Sequence, residues 1–139
     1  MREVNAVYGG EMSAHHYFRD FGFCDSGMIP WLLLAQMMSN QNKSLAELVD
    51  EGIEAFPVSG EINVAVDNPQ AVIESVKSHF GKQKHSLDEI DGLSMDFGDW
   101  RFNLRPSNTE PLLRMNLETR GDYQLMEQKR DELLRLIGA

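Results

Sequence analysis

A chain of 139 residues holds one ordinary domain, or one small domain and part of another, and 42% hydrophobic with 25% charged residues supplies enough apolar matter for a core. A formal net charge of −9 excludes a role resting on neutralisation of a nucleic-acid backbone, which needs a surplus of Lys and Arg. A small phosphorylated ligand needs only two or three well-placed cations and stays open.

The single cysteine, Cys24, cannot form an internal disulfide and suits a reducing compartment. Residues 1–5 lead into no apolar secretory segment, and the longest apolar stretch, residues 29–38, is about half what a membrane crossing requires. We therefore expect a soluble, cytoplasmic protein with neither nucleic acid nor membrane as a partner.

Along the chain, Val4, Ala6 and Tyr8 alternate with polar residues up to Gly9-Gly10, which predicts a short strand running into a loop. Residues 11–27 are mixed and are expected to be mostly loop with a turn. A helix is predicted over 28–41, with Pro30 in its first turn, Asp25 or Ser26 as its cap, and a wide apolar face that calls for burial. Ser44-Leu-Ala-Glu47 matches a capping box and opens a second helix expected to stop at Gly52.

The chain then changes character, and we place a domain boundary here: residues 1–52 on one side, 53–139 on the other. Ile62, Val64 and Val66 alternate as a half-buried strand. Asn68-Pro69 caps a helix whose apolar face is Val72, Ile73, Val76 and Phe80, ending at Gly81. Leu93, Met95, Phe97 and then Trp100, Phe102, Leu104 alternate around Gly98-Asp99, which is a hairpin pattern. Leu113, Met115 and Leu117 make a further strand, and Gly121-Asp122 opens a last helix. The predicted fold class is α+β, an antiparallel four-stranded sheet with helices on one face.

Two loops bear chemistry. In Arg105-Pro106-Ser107-Asn108-Thr109-Glu110-Pro111-Leu112-Leu113-Arg114, Ser107 and Glu110 fit a capping box. However, Pro111 removes a donor where the first helical bond should close, and the residues beyond alternate with period two. The remaining reading is a phosphate cradle. Ser107, Asn108 and Thr109 supply hydroxyls, an amide and backbone N–H groups, while Arg105 and Arg114 supply guanidinium forks. Glu110 is a candidate partner for one of the arginines.

In Gly9-Gly10-Glu11-Met12-Ser13-Ala14-His15-His16, the glycines allow a sharp turn. Glu11, Ser13 and His15 could then meet one ligand, the histidine moving protons near neutral pH. A plain polar loop with a structural histidine is the competing reading, and the residues alone leave both standing. Adjacent histidines do not readily face one ion, so no metal site is expected.

Together, Gly10-Glu11-Met12-Ser13-Ala14-His15 and the 105–114 loop resemble motifs of the α-D-phosphohexomutase superfamily, and the sugar-loop region is most similar to bacterial phosphomannomutases. The resemblance implies a partial third (sugar-loop) domain at 1–52, followed by the TATA-binding-protein-like C-terminal domain at 53–139. It also implies that Glu11 and Ser13 contact sugar hydroxyls and that His15 lies beside the reacting sugar. Arg105, Ser107, Asn108, Thr109 and Arg114 would hold the phosphate that is not transferred.

The implied activity is interconversion of mannose 6-phosphate and mannose 1-phosphate by a parent enzyme. Glucose or glucosamine phosphates, or a free-standing phosphosugar-binding module, are the alternatives. The family's phosphoserine and magnesium loop lie in domains absent from these residues, so the piece is expected to bind no magnesium and to be inactive alone. It would depend on the missing N-terminal domains as partners, or self-associate through its apolar helix. Ala14 departs from the glycine frequent at that position, which puts the loop's backbone geometry in question.

Overall fold

The computed structural model describes residues 1–11, 13–83 and 85–138, and the chain divides into two compact units, Met1–Asp50 and Glu51–Ala139. Met12 of the first motif lies outside the described residues.

In the first unit, β1 (Tyr8–Gly10), β2 (His16–Phe18) and β3 (Cys24–Asp25) form an antiparallel sheet in that order. Tyr8 stands opposite Phe18, and Tyr17 opposite Asp25. Two short paired strands, His16–Phe18 and Cys24–Asp25, thus interrupt the loop expected over 11–27, and the other described residues of that segment are turn or loop. One 3-10 turn (Arg19–Phe21) and the positive φ of Gly22 and Phe23 (65° and 61°) fold β3 back on β2. Strands of two or three residues give no alternation to read. Val4 and Ala6 belong to a turn in which Ala6 N–H donates to Met1 O, so the first strand starts at Tyr8 and runs through both glycines.

α1 (Met28–Gln41) has the predicted span. Gly27, rather than Asp25 or Ser26, occupies its N-cap, and the Ser26 hydroxyl reaches Ile29 N–H only at 3.4 Å. The capping box forms: Ser44 Oγ accepts from Glu47 N–H and Glu47 Oε2 accepts from Ser44 N–H at 2.7 Å. α2 (Leu45–Ala55) passes through Gly52, its expected end. Pro57 stops it instead, since it has no N–H to donate and disfavours helical geometry at Phe56. The burial expected of α1 is not met within this chain: no residue of α1 or α2 is buried, and Trp31 is 60% exposed.

The second unit is a sheet in the order β4-β8-β7-β6-β5 with two helices on one face. Its elements are β4 (Ile62–Ala65), α3 (Pro69–Phe80), β5 (Ser86–Asp88), β6 (Leu93–Asp96), β7 (Trp100–Pro106), β8 (Leu112–Thr119) and α4 (Tyr123–Ile137). The α+β class holds, but the sheet has five strands where four were expected. β5 is short, has no buried residue and carries one apolar residue, so no pattern announces it.

The period-two alternation of β7 and β8 places Trp100, Phe102, Leu104, Leu113, Met115 and Leu117 in the core, where they meet Ile73, Val76 and Phe80 of α3 and Met126, Leu133 and Ile137 of α4. Asn68 Oδ1 caps α3 at Ala71 N–H, and Asp122 Oδ1 caps α4 at Leu125 N–H. The opposite face of β7 and β8 is thereby left to Arg105, Asn103, Arg114 and Asn116.

Candidate functional site

The 105–114 segment is a connection between strands, not a helix. Arg105 and Arg114 are cross-strand partners on β7 and β8. Ser107 N–H donates to Leu112 O (2.8 Å), and Leu112 N–H donates to Glu110 O (2.8 Å), which closes a tight loop over residues 107–112. The Ser107 and Thr109 hydroxyl oxygens lie 3.5 Å apart, and among the described residues Asn108 has no hydrogen-bond partner. Hydroxyls, an amide and two guanidinium groups therefore gather at one end of the sheet.

Two like charges directly opposite on neighbouring strands destabilise a sheet unless something negative sits between them. Here Glu61 partly fills that need, with one carboxylate oxygen 3.9 Å from Arg105 and the other 3.9 Å from Arg114. At that range the contact is charge proximity, not a hydrogen bond, so the guanidinium N–H groups keep their bonding capacity. Arg114 Nε is buried and unpartnered among the described residues. An unsatisfied buried donor costs about 1–3 kcal/mol, and an anion placed between the arginines would recover it. Glu110, the expected partner of an arginine, makes no such contact; Glu61 takes that place because β4 pairs with β8 in the register Asn63 opposite Arg114.

Gly92 shapes the same corner from β6's leading turn. It takes φ +76°, and a methyl group there would lie 2.6 Å from Leu104 O and 2.7 Å from Arg105 Cβ. Only glycine lets the Asp91-Gly92 turn pass this close to Arg105.

The first motif closes the β1–β2 turn. Glu11 N–H donates to His15 O, and Ala14 N–H donates to Glu11 O, with Ala14 at φ 63°. The departure from glycine is therefore accommodated by an alanine in left-handed backbone. Ser13 Oγ donates to Glu11 Oε2 (3.1 Å) and Tyr17 Oη donates to Glu11 Oε1 (2.7 Å), and these two bonds, Tyr17 foremost, hold the Glu11 carboxyl below its usual range.

His15 Nδ1 lies 2.7 Å from Asp25 Oδ2, and Asp25 Oδ1 accepts from His16 N–H (2.8 Å). The hydrogen bond to Asp25, reinforced by its charge, raises the pKa of His15, and the same bond lowers that of Asp25. Glu11, Ser13 and His15 thus lie in one loop of the first unit, while Arg105, Ser107, Asn108, Thr109 and Arg114 lie in one loop of the second.

Asp25, Tyr17, Glu61 and Gly92 join these loops without being marked by the motifs. Asp25 and Tyr17 depend on two very short strand pairings, and Glu61 depends on the β4–β8 register. Gly92 could have been found from the Asp-Gly pair before an alternating run. Among the described residues no group of three or more His, Cys, Asp or Glu side chains could hold a metal ion, and no helix is long and apolar enough to cross a membrane.

Comparison with known proteins gives the class. Residues 1–56 match the family model described as phosphoglucomutase/phosphomannomutase, alpha/beta/alpha domain III, and residues 61–136 match the model described as phosphoglucomutase/phosphomannomutase, C-terminal domain. The chain belongs to the phosphoglucomutase/phosphomannomutase family.

Among its relatives, it is 58% identical to phosphohexose mutases of Xanthomonas campestris pv. campestris, covering 99% of this chain and 31% of that protein. It is 56% identical to the phosphomannomutase of Salmonella montevideo, covering 100% of this chain and 30% of that protein. The figures for the Escherichia coli K12 phosphomannomutase are 56% identity, 99% of this chain and 30% of that protein. The chain thus spans about three-tenths of the length of these relatives. A solved phosphoglucomutase/phosphomannomutase family protein from Burkholderia thailandensis shares the fold, with a TM-score of 0.65 at 22% identity, over 99% of this chain and 30% of that one.

Proposed function

We propose that this chain is the part of a phosphomannomutase that holds the non-transferred phosphate and touches the hexose, in an enzyme that interconverts mannose 6-phosphate and mannose 1-phosphate. The observation that carries the reading is the cross-strand pair Arg105–Arg114, opened toward the Ser107-Asn108-Thr109 loop and balanced only loosely by Glu61. Bidentate guanidinium forks match phosphate oxygens, and the loop hydroxyls and amide add donors for the third oxygen. Glu11 and Ser13 are assigned to sugar hydroxyls and His15 to the reacting end of the sugar. The preference for mannose draws on the phosphomannomutase relatives at 56% identity.

The same reading makes these residues inactive alone. Nothing in them assembles a metal site among the described side chains, and the relatives are about three times longer. Magnesium and the phosphoryl-carrying group would come from domains outside these residues, in a cytoplasmic enzyme. The exposed apolar face of α1 is then the surface that the rest of an alpha/beta/alpha domain covers.

Titration of the chain with mannose 6-phosphate, followed by amide NMR shifts, tests the assignment. Shifts should concentrate at residues 105–114, and mannose without phosphate should leave them unmoved. Loss of one charge-assisted pair, about 1.5–3 kcal/mol, should weaken binding by roughly 10- to 100-fold in Arg105→Ala or Arg114→Ala. Binding that survives both substitutions would move the phosphate elsewhere. Conversion of mannose 1-phosphate by the chain alone, supplied with magnesium and a bisphosphate, would refute the claim of inactivity.

A further inference from the structure

The carboxylate of Asp25 has two separate tasks, and together they determine what His15 can do. Its Oδ1 accepts from the backbone N–H of His16, and its Oδ2 faces Nδ1 of His15 at 2.7 Å. The residue is delivered there by strand pairing: Asp25 stands opposite Tyr17, and Ser26 N–H donates to His16 O just beyond it. Around the imidazole, Tyr17 stacks at 6.5 Å and Glu11 contributes its negative charge, while the neighbouring His16 ring is taken up by Tyr8 Oη at 2.7 Å. Among the described residues His15 Nε2 has no partner.

We propose that Asp25 is a positioning residue: it fixes His15 as the Nδ1–H tautomer, so that Nε2 is presented as the proton acceptor for a hydroxyl of the bound sugar. A neutral imidazole has one donor and one acceptor nitrogen, and a carboxylate can only accept. With Nδ1–H committed to Oδ2, the lone pair must be on Nε2. In the step assigned to it, a hydroxyl proton passes to Nε2 to give an imidazolium. The electron pair stays on the sugar oxygen, and Asp25 keeps its negative charge beside the new cation. The role toward a sugar rests on the proposed function; the tautomer does not.

The two tasks of the carboxylate make Asp25→Asn informative. The side-chain oxygen is still required by His16 N–H, which turns the amide nitrogen toward His15. That nitrogen can only donate, so it forces Nδ1 to be the acceptor and moves the proton to Nε2. Long-range nitrogen–proton NMR on the 139-residue chain should show Nδ1–H in the wild type and Nε2–H in D25N, with the histidine titrating at lower pH in the variant.

A neutral wild-type His15 protonated on Nε2 would overturn the proposal, and so would an unchanged tautomer in D25N that keeps its Tyr8–Phe18 cross-strand contacts. If D25N loses that pairing, the wild-type tautomer decides alone. A second arm uses a chimera in which this chain replaces its match in the Escherichia coli K12 phosphomannomutase. There D25N should lower kcat about tenfold or more, with KM for mannose 1-phosphate little changed and the acid limb moved to lower pH. An inactive parent chimera would count against the proposed function and leave the tautomer result standing. An active one indifferent to D25N would count against the positioning role.

Discussion

In residues 51–139 the polar side chains Arg105 and Arg114 stand on strands whose other face is a closed core; in residues 1–50 the polar side chains of the 10–16 loop hold one another, and none of the described residues is buried. Arg105 and Arg114 are placed by the packing of Leu104, Leu113 and Met115, each fully buried. Glu11 and His15 are placed by Tyr17, Ser13 and Asp25 through hydrogen bonds in an exposed hairpin. Close packing resists displacement in every direction, whereas an exposed hydrogen bond contributes only about 0.5–1.5 kcal/mol and water competes for it. The 105–114 loop should therefore be rigid in this chain and the 10–16 loop compliant.

The contrast is broken most directly by removing an aromatic from each unit. Phe80 is fully buried, with the rings of Trp100, Phe97 and Phe102 at 5.3, 5.7 and 5.7 Å. Phe80→Ala should cost about 3–5 kcal/mol. Trp31→Ala, at a side chain 60% exposed, should cost less than about 1 kcal/mol. Urea unfolding followed at Trp100 would report the first, and circular dichroism the second. Similar losses at both sites would mean that the first unit has a core after all.

Gly92→Ala sharpens the comparison at a single corner. The added methyl meets Leu104 O and the Arg105 backbone in a turn that already needs φ +76°. Strain of this kind costs about 1–3 kcal/mol. It should also shift Arg105 away from Arg114 and so, on the proposed function, weaken phosphate binding more than a substitution of equal cost at Ile73. Equal weakening in both variants would show that the corner has no positional role.

Ala14→Gly is the counterpart in the hairpin and should act in the opposite direction. A left-handed alanine is disfavoured by about 1 kcal/mol, which glycine avoids, although its extra freedom when unfolded offsets part of the gain. Amide exchange at Ala14, whose N–H donates to Glu11 O, should slow while the second unit is unaffected. Faster exchange would indicate that the alanine side chain stabilises the turn.

The sequence showed most of the second unit, because a one-sided core imposes alternation on every long strand. Trp100, Phe102, Leu104, Leu113, Met115 and Leu117 could be assigned to one face from spacing alone, and Arg105 and Arg114 to the other. What it concealed depends on register. Glu61 reaches both arginines only because Ile62 pairs with Met115, and nothing local to Glu61 states that. In the first unit the strands are too short for periodicity, so Asp25 looked like a helix cap when its carboxylate is held by His15 and the His16 amide. α2 continues through Gly52 to Ala55, and a glycine in helical backbone is indistinguishable in sequence from one that terminates a helix.

The smallest effect is one of pH, and its sign follows from which groups are shifted. His15 is raised by its hydrogen bond to Asp25, so its contribution to the hairpin is complete below the ordinary histidine value of about 6.5 and is lost as pH rises through the higher folded value. Glu11 and Asp25 are lowered, by Tyr17 and by His15 respectively, so their contributions are complete above about 4 and are lost as pH falls through the lower folded values. The hairpin should be tightest in mildly acid solution and loosen as pH rises past neutrality.

In the second unit, burial alone would raise Glu132, but Lys129 and His79 hold it low, which gives a loss on the acid side. Protection factors corrected for intrinsic exchange, measured at pH 6 and pH 8, should fall at Glu11 and His16 while those of β7 and β8 stay level. Parallel changes in both units, or a hairpin better protected at pH 8, would mean that the Asp25–His15 pair does not hold the loop. The same measurement on Asp25→Asn, which lacks the charge, should lose the difference between the two pH values.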